Sequence, residues 1–112
     1  MVSHENAKNH ISETCGKGWL TFVDIIYDNL TSEITINSVA QKYGGLKVDY
    51  IGENENFKYL TENIYYLSQF TCEKCGKSAK KSIIDDWETT LCDLHFGLIE
   101  SKVKFRIESI SF

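Results

Sequence analysis

No proline occurs in these 112 residues. That excludes a rigid proline-rich linker. It also excludes the Pro-Cys-x-x-Cys half of a zinc-deaminase site. Histidine is scarce too: His4, His10 and His95 are all there is. Two of them stand in the polar opening segment, and the third has a better use described below. No histidine is left as an obvious general base. The chain has no Gly-rich phosphate loop and no nucleophile elbow, so the reading is non-enzymatic. No apolar run approaches the ~18 residues of a membrane span. The opening MVSHENAKNHISE lacks the apolar stretch of a signal peptide, and a cytoplasmic protein without membrane contact is expected. Residues 1–14 are polar enough to predict a flexible tail. A single α+β domain is expected over 15–112.

What is present is an ordinary globular balance, 42% hydrophobic and 25% charged residues. Lys and Arg number 12 against 16 acids, a net charge of −4. A non-specific polyanion binder gains its affinity from neutralised phosphates, so this balance weighs against one. It suits a basic protein partner, because complementary charge speeds encounter.

Apolar residues at Trp19, Phe22, Val23, Ile26 and Leu30 follow the i, i+3, i+4, i+7 rule of a half-buried helix. Gly16 and Gly18 punctuate its start. Ile34 to Val39 alternates as a strand, and Leu46, Val48 and Tyr50 alternate again after Gly44-Gly45. Two such runs around a glycine pair predict a hairpin. Phe57, Leu60, Ile64 and Leu67 share one stripe of a predicted helix over 55–69, flanked by Tyr59 and Tyr66. A short helix is expected to open at CDLH, and Lys102 to Glu108 alternates as a C-terminal strand. The expected fold is thus a small antiparallel sheet, two to three helices and a finger of treble-clef or zinc-ribbon type.

The finger, expected over 71–96, is read from TCEKCGKSAKKSIIDDWETTLCDLH, residues 71 to 95. Two residues separate Cys72 from Cys75. Sixteen residues later Cys92 and His95 repeat that spacing. Two short-spaced pairs about 12–20 residues apart are the usual pattern of one four-coordinate structural zinc. A tight turn lets two thiolates grip one ion from one side. A hairpin brings back the second pair, and residues three apart on a helix share a face. Gly76 after the second thiolate suits a turn at positive φ that aims backbone N–H groups at sulfur. Three thiolates and an imidazole fill a tetrahedral ion and leave no position open for water. A thioredoxin-like reading of Cys72 and Cys75 wants a strand before the pair and a helix after it. Here a helix precedes and a lysine-rich turn follows. Cys15 is expected as a free thiol, with exchange for His95 in a four-cysteine site as the alternative.

Three other features have a bland and a sharp reading. Asp85, Asp86 and Glu88 are a solvated loop or an Mg2+ site. Trp87 packs on the zinc hairpin or stacks a base. Lys74, Lys77, Lys80 and Lys81 are a solvated face or a phosphate contact. In each case the bland reading is the stronger one, since acids and lysines alternate within a few residues.

GWLTFVDIIYDNL, VAQKYGGLKVDY, SQFTCEKCGK and WETTLCDLH together resemble a family of small bacterial and phage zinc-finger proteins. Its members carry a Gly-Trp helix start, a Lys-x-Gly-x-Leu hairpin and a closing CxxC…CxxH. The likeness spans Gly16 to His95. The hairpin departs slightly, reading Val39-Ala40-Gln41-Lys42-Tyr43-Gly44-Gly45-Leu46. The resemblance implies zinc on Cys72, Cys75, Cys92 and His95, and a setting beside toxins or mobile elements. Size, acidity and missing catalytic groups point the same way, to an immunity or inhibitor protein that binds a basic toxin or host protein. The first seventy residues, with 5 basic and 9 acidic side chains, are the expected binding surface, with Glu53, Glu55 and Glu62 as contacts. The alternative is a nucleic-acid-binding regulator that uses the lysine-rich finger.

Overall fold

The computed structural model describes residues 1–84 and 86–98. The strand expected over 102–108 and the place of Asp85 lie outside those residues. The order is α1 (His4–Thr14), α2 (Leu20–Asp28), β1 (Thr35–Lys42), β2 (Gly45–Ile51), α3 (Glu55–Ser68), β3 (Lys80–Ile84) and β4 (Trp87–Leu91). A short helix, α4, covers residues 93–98. The class is α+β. Among the described residues the strands form two separate two-stranded antiparallel sheets, β1–β2 and β3–β4.

The opening segment is the clearest departure from expectation. Residues 4–14, predicted as a flexible tail, are helix α1. Ser3 caps it by accepting the Asn6 N–H at 3.1 Å, which satisfies one of the free donors of a helix start. Ala7, Ile11 and the capping Cys15 fall four residues apart and are all buried. Three apolar side chains on an otherwise polar helix make a weak periodic signal, yet they close one side of the core. The ends are tied as well. Val2 N–H donates to the Ile36 carbonyl, the Tyr27 hydroxyl donates to the Val2 carbonyl, and His4 stacks on Tyr27 at 4.9 Å.

Helix α2 buries Trp19, Val23 and Ile26, with Phe22 and Leu30 partly covered, as its periodicity predicts. The hairpin pairs Lys42 with Gly45, so its turn is Tyr43-Gly44 rather than Gly44-Gly45. Both turn residues have positive φ, +54° and +78°. That is the pattern of a type I′ turn, whose twist matches the strands. A bulge between Ile36 and Ser38 shifts the alternation, which is why Ile36 and Val39, three apart, are both buried.

Helix α3 starts at Asn54, whose side chain accepts the Phe57 N–H at 2.9 Å. Its buried face is Phe57, Thr61, Ile64 and Ser68, a stripe at i, i+4, i+7 and i+11. The expected stripe through Leu60 and Leu67 is therefore rotated, and Leu67 is exposed. Polar residues take the inner places because they have work there: the Ser68 hydroxyl accepts the Leu46 N–H and donates to the Tyr65 carbonyl. The rotation turns Tyr59, Tyr66, Leu67 and Phe70 outward, each between 50% and 63% exposed.

Candidate metal centre

The metal-site candidates lie on three elements. Cys72 and Cys75 stand on a knuckle that follows α3. Its turn is closed by the Cys72 N–H to the Lys77 carbonyl at 2.7 Å and the Gly76 N–H to the Cys72 carbonyl at 2.8 Å. Gly76 has φ +82°, as its place in the sequence predicts. The β3–β4 hairpin then returns the chain, with Lys80 opposite Leu91. Cys92 sits where β4 passes into α4, and its carbonyl accepts the Phe96 N–H at 2.9 Å. His95 follows on the first turn and faces the same way. Knuckle, hairpin and ligand-bearing helix are the order of a treble clef; a ribbon would need a second knuckle in place of α4.

The four donor atoms of Cys72, Cys75, Cys92 and His95 all lie within 4.8 Å of one another. Cys75 Sγ stands 3.7 Å from Cys92 Sγ, Cys72 Sγ 3.6 Å from His95 Nδ1, and Cys92 Sγ 3.1 Å from the same Nδ1. A tetrahedral ion with bonds of about 2.3 Å to sulfur and about 2.0 Å to nitrogen has edges of about 3.5–3.8 Å. The residues present therefore fit one metal ion. His95 offers Nδ1, which leaves Nε2 pointing away from the cluster. All four cysteines are free thiols.

Backbone donors act on two of the sulfurs, one at the start of α4 and one on the knuckle. The His95 backbone N–H is the largest cause holding Cys92 down to about 6. The Lys77 backbone N–H pulls on Cys75 in the same way, but burial and the neighbouring sulfurs push that thiol up on balance. Burial pushes Cys15 up as well. Cys15 is buried in the first core, and the cluster that assembles holds His95 in its place.

Sequence reasoning missed what seats the knuckle. A Cβ on Gly18 would stand 2.0 Å from the Cys72 carbonyl oxygen and 2.6 Å from the Gly76 nitrogen. The Gly18 N–H donates to the Glu73 carbonyl at 2.9 Å, and the Trp19 indole N–H donates to the Thr71 carbonyl at 2.8 Å. The glycines that seemed only to punctuate α2 thus let the knuckle rest on bare backbone. Glu73, between the two thiols, is buried; desolvation pushes its carboxyl up to about 7. Its side chain accepts from Gln41 of β1. A charged residue between two ligands reads as solvated, and nothing local marks it as buried.

The remaining expected site residues are spread out. Glu53, Glu55 and Glu62 are all exposed, on the β2–α3 loop and on α3. Lys74, Lys77, Lys80 and Lys81 are exposed on the finger, and Lys81 Nζ lies 3.7 Å from Glu88. Trp87 does not pack under the hairpin; it is 60% exposed, and its indole N–H donates to Gln41. Among the described residues no helix is long and apolar enough to cross a membrane. Comparison with protein-family models, with curated proteins and with solved structures finds no match to this chain.

Proposed function

We propose that the protein is a non-enzymatic, zinc-stabilised module that binds another protein. Zinc is the ion that three thiolates and one imidazole at these spacings best suit. Bound there, it would carry about −1 with its ligands (three thiolates, Zn2+, neutral imidazole) and would have no open position, so its role is to hold the finger together.

One observation carries the protein-binding reading: the outer face of α3. Tyr59 and Tyr66 run along it, Phe70 stands just past its end, and the rings of Tyr66 and Phe70 meet at 5.2 Å. Glu55 and Glu62 border this row on one side. An exposed aromatic row with a charged rim is what protein interfaces use, since aromatic anchors dominate their energetics. The acidic rim selects a partner with a basic surface. An inhibitor of a basic antibacterial toxin or host protein is the concrete form of this reading, and it accords with the family resemblance and with the cytoplasmic setting expected from the sequence.

The test is co-expression with the product of the neighbouring gene. A complex that survives size exclusion, and that Glu55→Lys with Glu62→Lys or Tyr66→Ala disrupts, is the expected result. No complex, or one indifferent to these changes, removes the reading. A second reading, a nucleic-acid-binding regulator, draws on the four exposed finger lysines. A salt-dependent shift of a DNA or RNA probe would favour it.

A further inference from the structure

The four ligand candidates do not meet solvent equally. Cys72 is 0% exposed and Cys92 8%, and His95 is half-buried. Cys75 alone of the four is open to solvent. Its sulfur also has a close sulfur neighbour, since Cys75 Sγ stands 3.7 Å from Cys92 Sγ.

Backbone bonds bring these two sulfurs to one place. The Glu73 N–H donates to the Thr90 carbonyl at 3.0 Å and ties the knuckle to β4. Thr71 and Ser78 form an antiparallel bridge, and the Ala79 N–H donates to the Phe70 carbonyl at 2.9 Å. The ladder from Lys80 opposite Leu91 to Ile84 opposite Trp87 then returns the chain to Cys92. A solvent-reached sulfur beside a second, covered sulfur is the arrangement of an oxidisable cysteine with its resolving partner.

We propose that Cys75 and Cys92 are a redox pair: a hydroperoxide oxidises Cys75, Cys92 closes a disulfide onto it, and the finger gives up its ion. The proposal rests on the zinc reading. A coordinated thiol is deprotonated, so a bound ion keeps the nucleophilic form at the one ligand that solvent reaches. In the first step Cys75 Sγ attacks a peroxide oxygen and the O–O bond breaks. The departing hydroxide takes a proton from solvent and leaves as water, and Cys75 becomes a sulfenic acid. In the second step Cys92 Sγ attacks Cys75 Sγ. The S–S bond forms, the S–O bond breaks, and hydroxide again takes a proton and leaves as water. The sum is two thiolates, one hydrogen peroxide and two protons giving one disulfide and two waters. The sulfurs lose two electrons and the peroxide gains them.

Cys72 is the other conceivable partner. A bridge from Cys75 to Cys72 would close only 4 residues of chain, whereas one to Cys92 closes 18. Closing the longer loop removes more entropy from the unfolded chain. It also joins the knuckle to the start of α4, the same two parts that the four ligands join. Cys72 and His95 are then left as two ligands, too few for a structural zinc. The ion can leave while the hairpin stays closed.

The experiment uses the reduced full chain, with its metal content measured first. Dilute hydrogen peroxide is added beside a chromogenic chelator that counts released ion, with a peroxide-free control. The product is alkylated and mapped by mass spectrometry. One ion should be released for each chain that loses two hydrogens. The crosslink should join Cys75 to Cys92, with Cys72 still open to alkylation. Amide protection over β3 and β4 should survive, in contrast to its loss when the reduced chain is chelated. A thiol reductant with added Zn2+ should restore both mass and metal content. Cys75→His keeps a ligand at that position and removes the exposed thiol; it should bind an ion and release little or none at the same dose.

A crosslink between Cys72 and Cys75, a crosslink only between chains, or sulfinic acid on Cys75 without a crosslink would each overturn the proposal. So would release from Cys75→His as fast as from the parent chain. The two readings separate. A chain that takes up no ion yet joins Cys75 to Cys92 supports the pair and removes the zinc reading. One ion per chain that peroxide does not dislodge removes the pair and leaves the zinc reading.

Discussion

The first seventy residues and the finger are held together by opposite means. The first region buries a continuous apolar cluster: Ile11, Trp19, Val23, Ile26, Ile36 and Leu46 are at most 0% exposed, and Val39, Phe57 and Ile64 are close behind. The finger's buried cluster is Leu91 with Cys72 and Cys92, and two of those three are metal-ligand candidates. Ala79, Ile84 and Phe96 only partly cover it. At ~0.8 kcal/mol per buried CH2, one leucine and a few half-covered side chains fall far short of the entropy of ordering such a segment. The first region can fold on its apolar side chains. The finger, with so small a core, is expected to need an ion on its four clustered ligands.

That contrast is open to direct attack. The largest effect is expected from the metal. Chelation, or Cys72→Ser, should unfold the finger while leaving α1, α2, the β1–β2 hairpin and α3 in place. Amide exchange checks this: protection should vanish over the finger and persist at Leu46, whose N–H is held by Ser68. Protection lost everywhere at once would mean that one cooperative unit spans both regions. Next in size is Ile26→Ala, in the first core. Large-to-small changes at buried sites cost about 2–5 kcal/mol, and this one should lower the unfolding midpoint with the metal still bound. Gly18→Ala comes third. Its methyl would meet the Cys72 carbonyl at 2.0 Å, and overpacking of this kind costs about 1–3 kcal/mol. Its signature is weaker metal binding in a competition titration, with α2 still helical by exchange.

The smallest effect is electrostatic. The Lys8 ammonium first, then His4, hold the Asp24 carboxyl below its ordinary range. A depressed carboxylate contributes stability that is present above its unfolded pKa, near 3.8, and is lost as pH falls through its lower folded value. These groups are about 40% exposed. Asp24→Asn should therefore cost under about 1 kcal/mol, and less in high salt. The check is the exchange of α1 amides between neutral and acid pH; a loss that salt does not reduce would point to packing instead.

The sequence was legible where one strong rule governs. The ligand spacing marked Cys72, Cys75, Cys92 and His95, because a tetrahedral site constrains short-range geometry. Trp19, Val23 and Ile26 were legible because nothing competes for that helix face. Reading failed where tertiary contacts override local pattern. Helix α1 shows only Ala7, Ile11 and Cys15 to the core, too few to stand out among polar neighbours. On α3, Ser68 holds an inner place because its hydroxyl accepts the Leu46 N–H of the β1–β2 hairpin, and Leu67 is left outside. The roles of Gly18 and Glu73 depend on a partner more than fifty and thirty residues away respectively. Neither is visible until the knuckle lands on α2.

Trp19 carries two duties through different parts of one side chain. Its carbon skeleton fills the apolar interior, and its single indole N–H holds the Thr71 carbonyl next to the first thiol. Phenylalanine would keep most of the first duty and forfeit the second. A substitution that looks conservative by hydrophobicity alone would thus uncouple the two halves, and drift at this position is restrained by a proton rather than by volume.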